Sequence, residues 1–249
     1  MTRRVLFLTG GSRGIGAGLV VAAARAGFDV AFTYRSQKDA ADAVIARAAA
    51  EAPEATVRAW ALDVRDGAAV EAVGDAVLDA FDRVDVVVAN AAITKVGLAF
   101  STSDEDWNEV IDTNLTGAFR VTRQFLPAML AQRWGRFIYI SSVAANGMSG
   151  DPAYCASKAG LVGLSKAIAK EYGRKGITSN TVSLGLFETE MSDAGLSASN
   201  RTFYQTWSPA GRPGRLDEVA STVLHLASDA SAFINGQVIG LDGGLDWYP

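Results

Sequence analysis

The stretch Val5–Gly16, "VLFLTGGSRGIG", decides how the rest of the chain is read. Four apolar residues run directly into a turn with glycines at 10, 14 and 16 and an arginine at 13. Apolar residues at successive positions predict a strand buried on both faces, as in a parallel sheet. Glycine admits positive φ and removes Cβ bulk, so the turn suits a close approach of backbone to a partner. The helix predicted next, 15–26, would present unpaired N–H groups and a partial positive charge, which suits a pyrophosphate. The spacing is G-x3-G-x-G, which departs from the G-x-G-x-x-G dinucleotide pattern. Glycines alone fit a plain tight turn equally; their place at the first strand–helix junction favours a nucleotide site.

The same alternation recurs along the chain. Strand-like runs fall at 5–8, 29–34, 57–64, 84–90, 136–142, 178–184 and 236–243, and helix-like stretches at 15–26, 38–51, 67–81, 104–132, 153–174 and 215–228. This predicts an α/β fold, a Rossmann-like doubly wound parallel sheet of about seven strands with helices on both faces. No linker, repeat or low-complexity segment divides residues 1–249, so a single domain is expected. Right-handed crossovers place the ligand crevice at the carboxyl ends of the strands.

Composition removes several classes. Net charge is −4 with no basic block, which argues against nucleic acid. One cysteine, Cys155, excludes an internal disulfide and a thiolate zinc site. One histidine, His225, on a predicted helix, reads as structural, and no metal is expected. The N-terminal apolar run is shorter than the roughly 7–15 residues of a signal-peptide core. No segment reaches the roughly 18 apolar residues of a membrane helix. A soluble cytoplasmic protein is expected.

The second strand ends in "TYRSQ", and none of Thr33, Tyr34, Arg35 and Ser36 is acidic. An acidic residue there would bind a ribose 2′-hydroxyl; guanidinium groups at Arg13 and Arg35 favour a 2′-phosphate, hence NADP. In "ALDV", Asp63 has two readings: it accepts from an adenine amino group while Val64 packs on the ring, or it caps the next helix. In "YCASK", Tyr154 and Lys158 are four residues apart and share one helical face. An ammonium beside a phenol lowers the phenol's pKa from about 10, which makes it an acid or base near neutrality. Such pairs also arise by chance on amphipathic helices, so the weight comes from their company. Ser141 and Ser142 sit at the end of a predicted strand, where successive side chains point apart and only one faces the crevice.

Taken in order, "TGGSRGIG", "NA" at 90–91, Asn114, "SS" at 141–142, "YCASK" and "GQVIGLDGG" resemble the classical short-chain dehydrogenases/reductases across essentially the whole chain. The resemblance implies an NADP(H) cofactor and a catalytic tetrad. Tyr154 would protonate the substrate oxygen, Lys158 would hold the nicotinamide ribose, and Ser142 would hydrogen-bond the substrate oxygen. Asn114 would kink its helix and hold a water leading from Lys158 to solvent. Cofactor contacts are implied for Gly10, Ser12, Arg13, Gly14, Ile15, Gly16, Arg35, Ser36, Asp63, Val64, Asn90, Ala91, Gly185 and Thr189, besides Tyr154 and Lys158. The chain departs from the family where Asn-Asn-Ala-Gly becomes "ANAA", Ala89 to Ala92, and where Pro-Gly becomes Leu184–Gly185. The Ser142–Tyr154 interval is also about one residue short of the family's, so Ser141 stays a weaker candidate.

Within the family the chain is similar to the 3-oxoacyl-carrier-protein reductases, through "ITKVGLAF", "QRWGRFIYISS" and "EYGRKGI". That implies reduction of a 3-oxoacyl thioester, of fatty-acid or polyketide type. Basic residues Arg133, Arg174 and Lys175 would meet an acidic acyl carrier protein, although helix ends attract such residues anyway. A flap over 186–211 carries Phe187, Met191, Phe203, Tyr204 and Trp207, which suit an acyl chain or pack a subunit interface. The C-terminal helix–strand unit resembles one that pairs between subunits, so a homotetramer is expected, with a dimer as alternative. The competing activity is reduction or oxidation of another ketone or alcohol, such as a sugar or cyclic ketone. A non-catalytic nucleotide sensor would need a damaged tetrad, and here the tetrad is whole.

Overall fold

The structure, a computed structural model, describes residues 3–187, 202 and 206–245. Strand β1, Val5–Leu8, is buried along its whole length. Val5 and Phe7 enter one hydrophobic core while Leu6 and Leu8 enter another, so the strand is covered on both faces. Six more strands follow: β2 Asp29–Tyr34, β3 Val57–Ala61, β4 Val86–Ala89, β5 Gly135–Ser142, β6 Ile177–Leu184 and β7 Val238–Leu241. They form one sheet in the order β3-β2-β1-β4-β5-β6-β7, and every neighbouring pair is parallel.

Helices α1 (Gly14–Arg25), α2 (Lys38–Glu51) and α7 (Leu216–Leu226) pack on the face marked by Leu6, Phe32, Val88 and Val182. Helices α3 (Gly67–Phe81), α5 (Gly117–Gln132) and α6 (Pro152–Tyr172) cover the face marked by Phe7, Val87, Phe137 and Tyr139. The short α4, Asp104–Ile111, leans on α6. This is the doubly wound sheet that the sequence predicts. The strand order reverses at β1, between β2 and β4, and this is where an open α/β sheet forms its ligand crevice.

Three expectations change in detail. The stretch 104–132 is not one helix: α4 and α5 are joined by a π-helical turn, Asp112–Thr116, in which the Gly117 N–H bonds the Asp112 carbonyl. The third strand ends at Ala61 and the seventh covers only Val238–Leu241. Both are edge strands, which lack a second neighbour to extend their ladders. Thr189, Met191, Phe203 and Tyr204 lie outside the described residues.

Candidate active site

The turn after β1 is built by glycine. Gly10 and Gly14 have φ of +72° and +53°. A Cβ on Gly16 would stand 2.1 Å from the Gly10 carbonyl oxygen, so the head of α1 presses directly on the turn. Arg13, exposed, is the N-cap of α1 and makes no side-chain cap on it. Ser12 is half-buried at the turn, and Ile15 packs against the first core.

Asn90, just past β4, locks this turn. Its Nδ2 donates to the carbonyls of Thr9 and Gly10, both at 3.0 Å, while Thr9 Oγ1 accepts from the N–H groups of Asn90 and Ala91. The Asn90 side chain therefore shapes the crevice wall, with its amide engaged by backbone. At the end of β6, a Cβ on Gly185 would meet Asp242 Cα at 2.7 Å, and that close approach requires a glycine there.

Beyond β3, the capping reading of Asp63 does not hold, and its carboxylate has a protein partner. The N-cap of α3 is Asp66, whose carboxylate accepts from Ala68 and Ala69. Asp63 is ion-paired with Arg65 at 2.6 Å and accepts the Arg65 N–H. The Arg65 hydrogen bond and the Arg35 charge hold its carboxyl below the usual range, against a smaller opposing effect of burial. Arg65 also pairs with Glu109 at 3.1 Å, a link invisible without the fold. Val64 points into the core against Gly117 rather than outward to a ring, because the π-helical turn brings Gly117 to it. Arg35 and Ser36 are exposed at the end of β2, with Asp63 within electrostatic reach of Arg35.

The two serines separate clearly. Ser141 is buried and its hydroxyl donates to the Lys158 carbonyl at 2.9 Å. Ser142 turns the other way, accepts the Ala144 N–H at 3.2 Å and hydrogen-bonds the Tyr154 phenol. Lys158 is buried, and its ammonium donates to the Ile140 carbonyl at 2.8 Å and lies 5.4 Å from the centroid of the Tyr154 ring. Burial pushes this ammonium down to about 8. The expectation that Lys158 lowers the Tyr154 phenol is corrected: burial dominates and pushes it up to about 12, with the Ser142 hydrogen bond opposing. Desolvation disfavours the charged phenolate, and that penalty is the largest influence on this group. The phenol is therefore protonated at neutral pH.

Asn114 is buried in the π-helical turn. Its Oδ1 accepts from the Ile93 N–H at 2.8 Å, and its Nδ2 donates to the Ile93 carbonyl and to Ser157 Oγ. It thus ties the segment after β4 to the residue preceding Lys158. One participant escaped the sequence reading. Asp151, before Pro152, is the N-cap of α6 and accepts the Tyr154 N–H. An Asp-Pro pair opening a helix is a legible start signal. What it does not reveal is that the same carboxylate accepts from Thr94 Oγ1.

The remaining candidates lie elsewhere. Phe187 is buried in the first core, its ring filling the space that a Cβ on Gly214 would need, so it packs the flap's base. Trp207 is exposed. Arg133, Arg174 and Lys175 are exposed at the amino ends of β5 and β6, the opposite edge of the sheet from Ser142. They do not border this chain's own site, because both strands run their full length in between.

Comparison with known proteins agrees with this geometry. The family described as Enoyl-(Acyl carrier protein) reductase matches residues 10–246. The 3-oxoacyl-[acyl-carrier-protein] reductase of Synechocystis sp. (strain ATCC 27184 / PCC 6803 / Kazusa) is 41% identical over 249 residues, 98% of each chain. The 3-oxoacyl-[acyl-carrier-protein] reductase FabG of Escherichia coli (strain K12) is 38% identical over 243 residues, 97% of each chain. The crystal structure of levodione reductase superposes with a TM-score of 0.95 at 31% identity, covering 99% of this chain and 98% of that one. The chain belongs to the short-chain dehydrogenase/reductase family and is an oxidoreductase.

Proposed function

We propose that this protein is an NADPH-dependent reductase that converts a 3-oxoacyl thioester, carried by an acyl carrier protein, to the 3-hydroxyacyl thioester. One observation carries the reading: the Tyr154 phenol, hydrogen-bonded to Ser142, with the Lys158 ammonium beside it, at the carboxyl end of β5. Two hydroxyl donors suit an oxygen that gains negative charge. The cradle fits a dinucleotide, since a Cβ on Gly16 would fill the turn. Gly10 to Gly16 and the head of α1 would hold a pyrophosphate, and Arg35 with Ser36 a 2′-phosphate. When bound, the reduced nicotinamide supplies the hydride to the carbonyl carbon. Tyr154 gives its proton to the oxygen, Ser142 orients that oxygen, and Lys158 steadies the resulting phenolate. Asn114 anchors the helix on which Lys158 rides. The relatives named as 3-oxoacyl-carrier-protein reductases support the substrate class.

The assembly is a homotetramer in this reading, and exposed Trp107 and Phe119 on α4 and α5, with Phe233 and Val238 near β7, offer it apolar contact surface. The likeness to levodione reductase favours a second reading, a free cyclic ketone as substrate. The test is NADPH and NADH consumption with an acetoacetyl thioester, a crotonyl thioester and a cyclic diketone. Turnover of the acetoacetyl thioester with NADPH is expected; turnover of the diketone alone establishes the second reading, and of the crotonyl thioester alone an enoyl reduction. Tyr154→Phe is expected to bind NADPH as before and lose about 10²–10⁴-fold in turnover.

A further inference from the structure

Asp151 is 2% exposed and carries two ties that meet at the head of α6. One carboxylate oxygen accepts the Tyr154 N–H at 3.3 Å, and the other accepts from Thr94 Oγ1, in the segment after β4. A backbone bond, Gly97 N–H to the Gly150 carbonyl at 2.8 Å, joins the same two segments one residue earlier. Asn114 holds Ile93 to Ser157 on the far side of Tyr154. The segment 93–97 is thus fastened to α6 on both sides of the phenol.

We propose that Asp151 is a positioning residue for the reduction: its buried carboxylate, bridging Thr94 and the Tyr154 N–H, sets Tyr154 against the segment 93–97 and places an acidic group three residues before the acid. This rests on the reading of Tyr154 as the acid. The Asp151 charge adds to burial in opposing phenolate formation. The groups acting on the phenol are Ser142 from β5, Asp151 at the N-cap of α6 and Cys155 within it, while the Lys158 ammonium lies 5.4 Å from the ring centroid. Lys95, on the facing segment, is exposed and paired with Asp106 and Glu109. Of these, Asp151 is the carboxylate next to the acid.

The test separates charge from geometry. Asp151→Asn keeps an acceptor for the Tyr154 N–H and a partner for Thr94 while removing the charge. Tyrosinate absorbance of the whole enzyme is titrated against pH for wild type, Asp151→Asn and Tyr154→Phe. The component absent from Tyr154→Phe is expected to move to lower pH in Asp151→Asn. In acetoacetyl-thioester reduction with NADPH, the alkaline limb of kcat/KM is expected to move the same way. Thr94→Val is expected to lower kcat by about 10-fold or more through misplacement of the acid, with KM for NADPH unchanged. Superimposable titrations and pH profiles in wild type and Asp151→Asn overturn the proposal while leaving Tyr154 as the acid. Unimpaired turnover by Tyr154→Phe overturns both readings.

Discussion

Lys158 shows how a functional residue works against stability. Its ammonium is buried with one carbonyl partner, and burial lowers it from 10.5 to about 8. The unfolded chain therefore binds more protons between these values, so stability rises as pH climbs from about 8 toward 10.5 and the full penalty is present below about 8. The shift corresponds to about 3 kcal/mol, less about 1 for the lost hydrogen bond to Ile140. Lys158→Met is expected to raise the Tm of the cofactor-free protein at pH 7 by about 5 °C and abolish turnover. Calorimetry at pH 7 and pH 10 checks this; the gain should shrink at the higher pH.

Helix α6 carries Tyr154 and Lys158, and its two glycines face different surroundings. Gly163 is exposed in its interior, and a Cβ there meets nothing within 4 Å. Gly160 packs on Leu115, next to Asn114, where a Cβ would lie 2.6 Å from Leu115 Cδ2. Alanine is favoured over glycine in a helix interior by about 0.8–1 kcal/mol. Gly163→Ala is thus expected to raise the urea midpoint with an unchanged m value and unchanged turnover. Gly160→Ala should lower both the midpoint and kcat, because the displaced Leu115 side chain disturbs the turn that holds Asn114. Reversal of that order would show that α6 is not fitted to the π-helical turn as described.

Across the molecule, parallel strands send chemistry to one edge and connections to the other. Ser142 and the glycine turn lie at the carboxyl edge, while Arg133, Arg174 and Lys175 lie at the amino edge, about 23 Å away along β5. Double reversal, Arg133→Glu with Lys175→Glu, is therefore expected to leave reduction of a small acetoacetyl thioester unchanged. If the amino edge receives the carrier, KM for the carrier-bound substrate should rise several-fold and lose its salt dependence. Steady-state kinetics with both substrates at two ionic strengths decide it.

The sequence by itself determined the alternation of strands and helices, the two-faced burial of the central strands, the glycine turn after β1 and the shared face of Tyr154 and Lys158. These properties are local: each depends on residue spacing within one element, and periodicity records it directly. Only the tertiary structure decided that Ser142 rather than Ser141 meets the phenol, that Asp63 pairs with Arg65, that Val64 turns inward, that Asp151 reaches Thr94, and that burial raises the Tyr154 phenol. Those outcomes depend on distances and solvent exclusion between segments far apart in the chain, which spacing along the sequence does not encode.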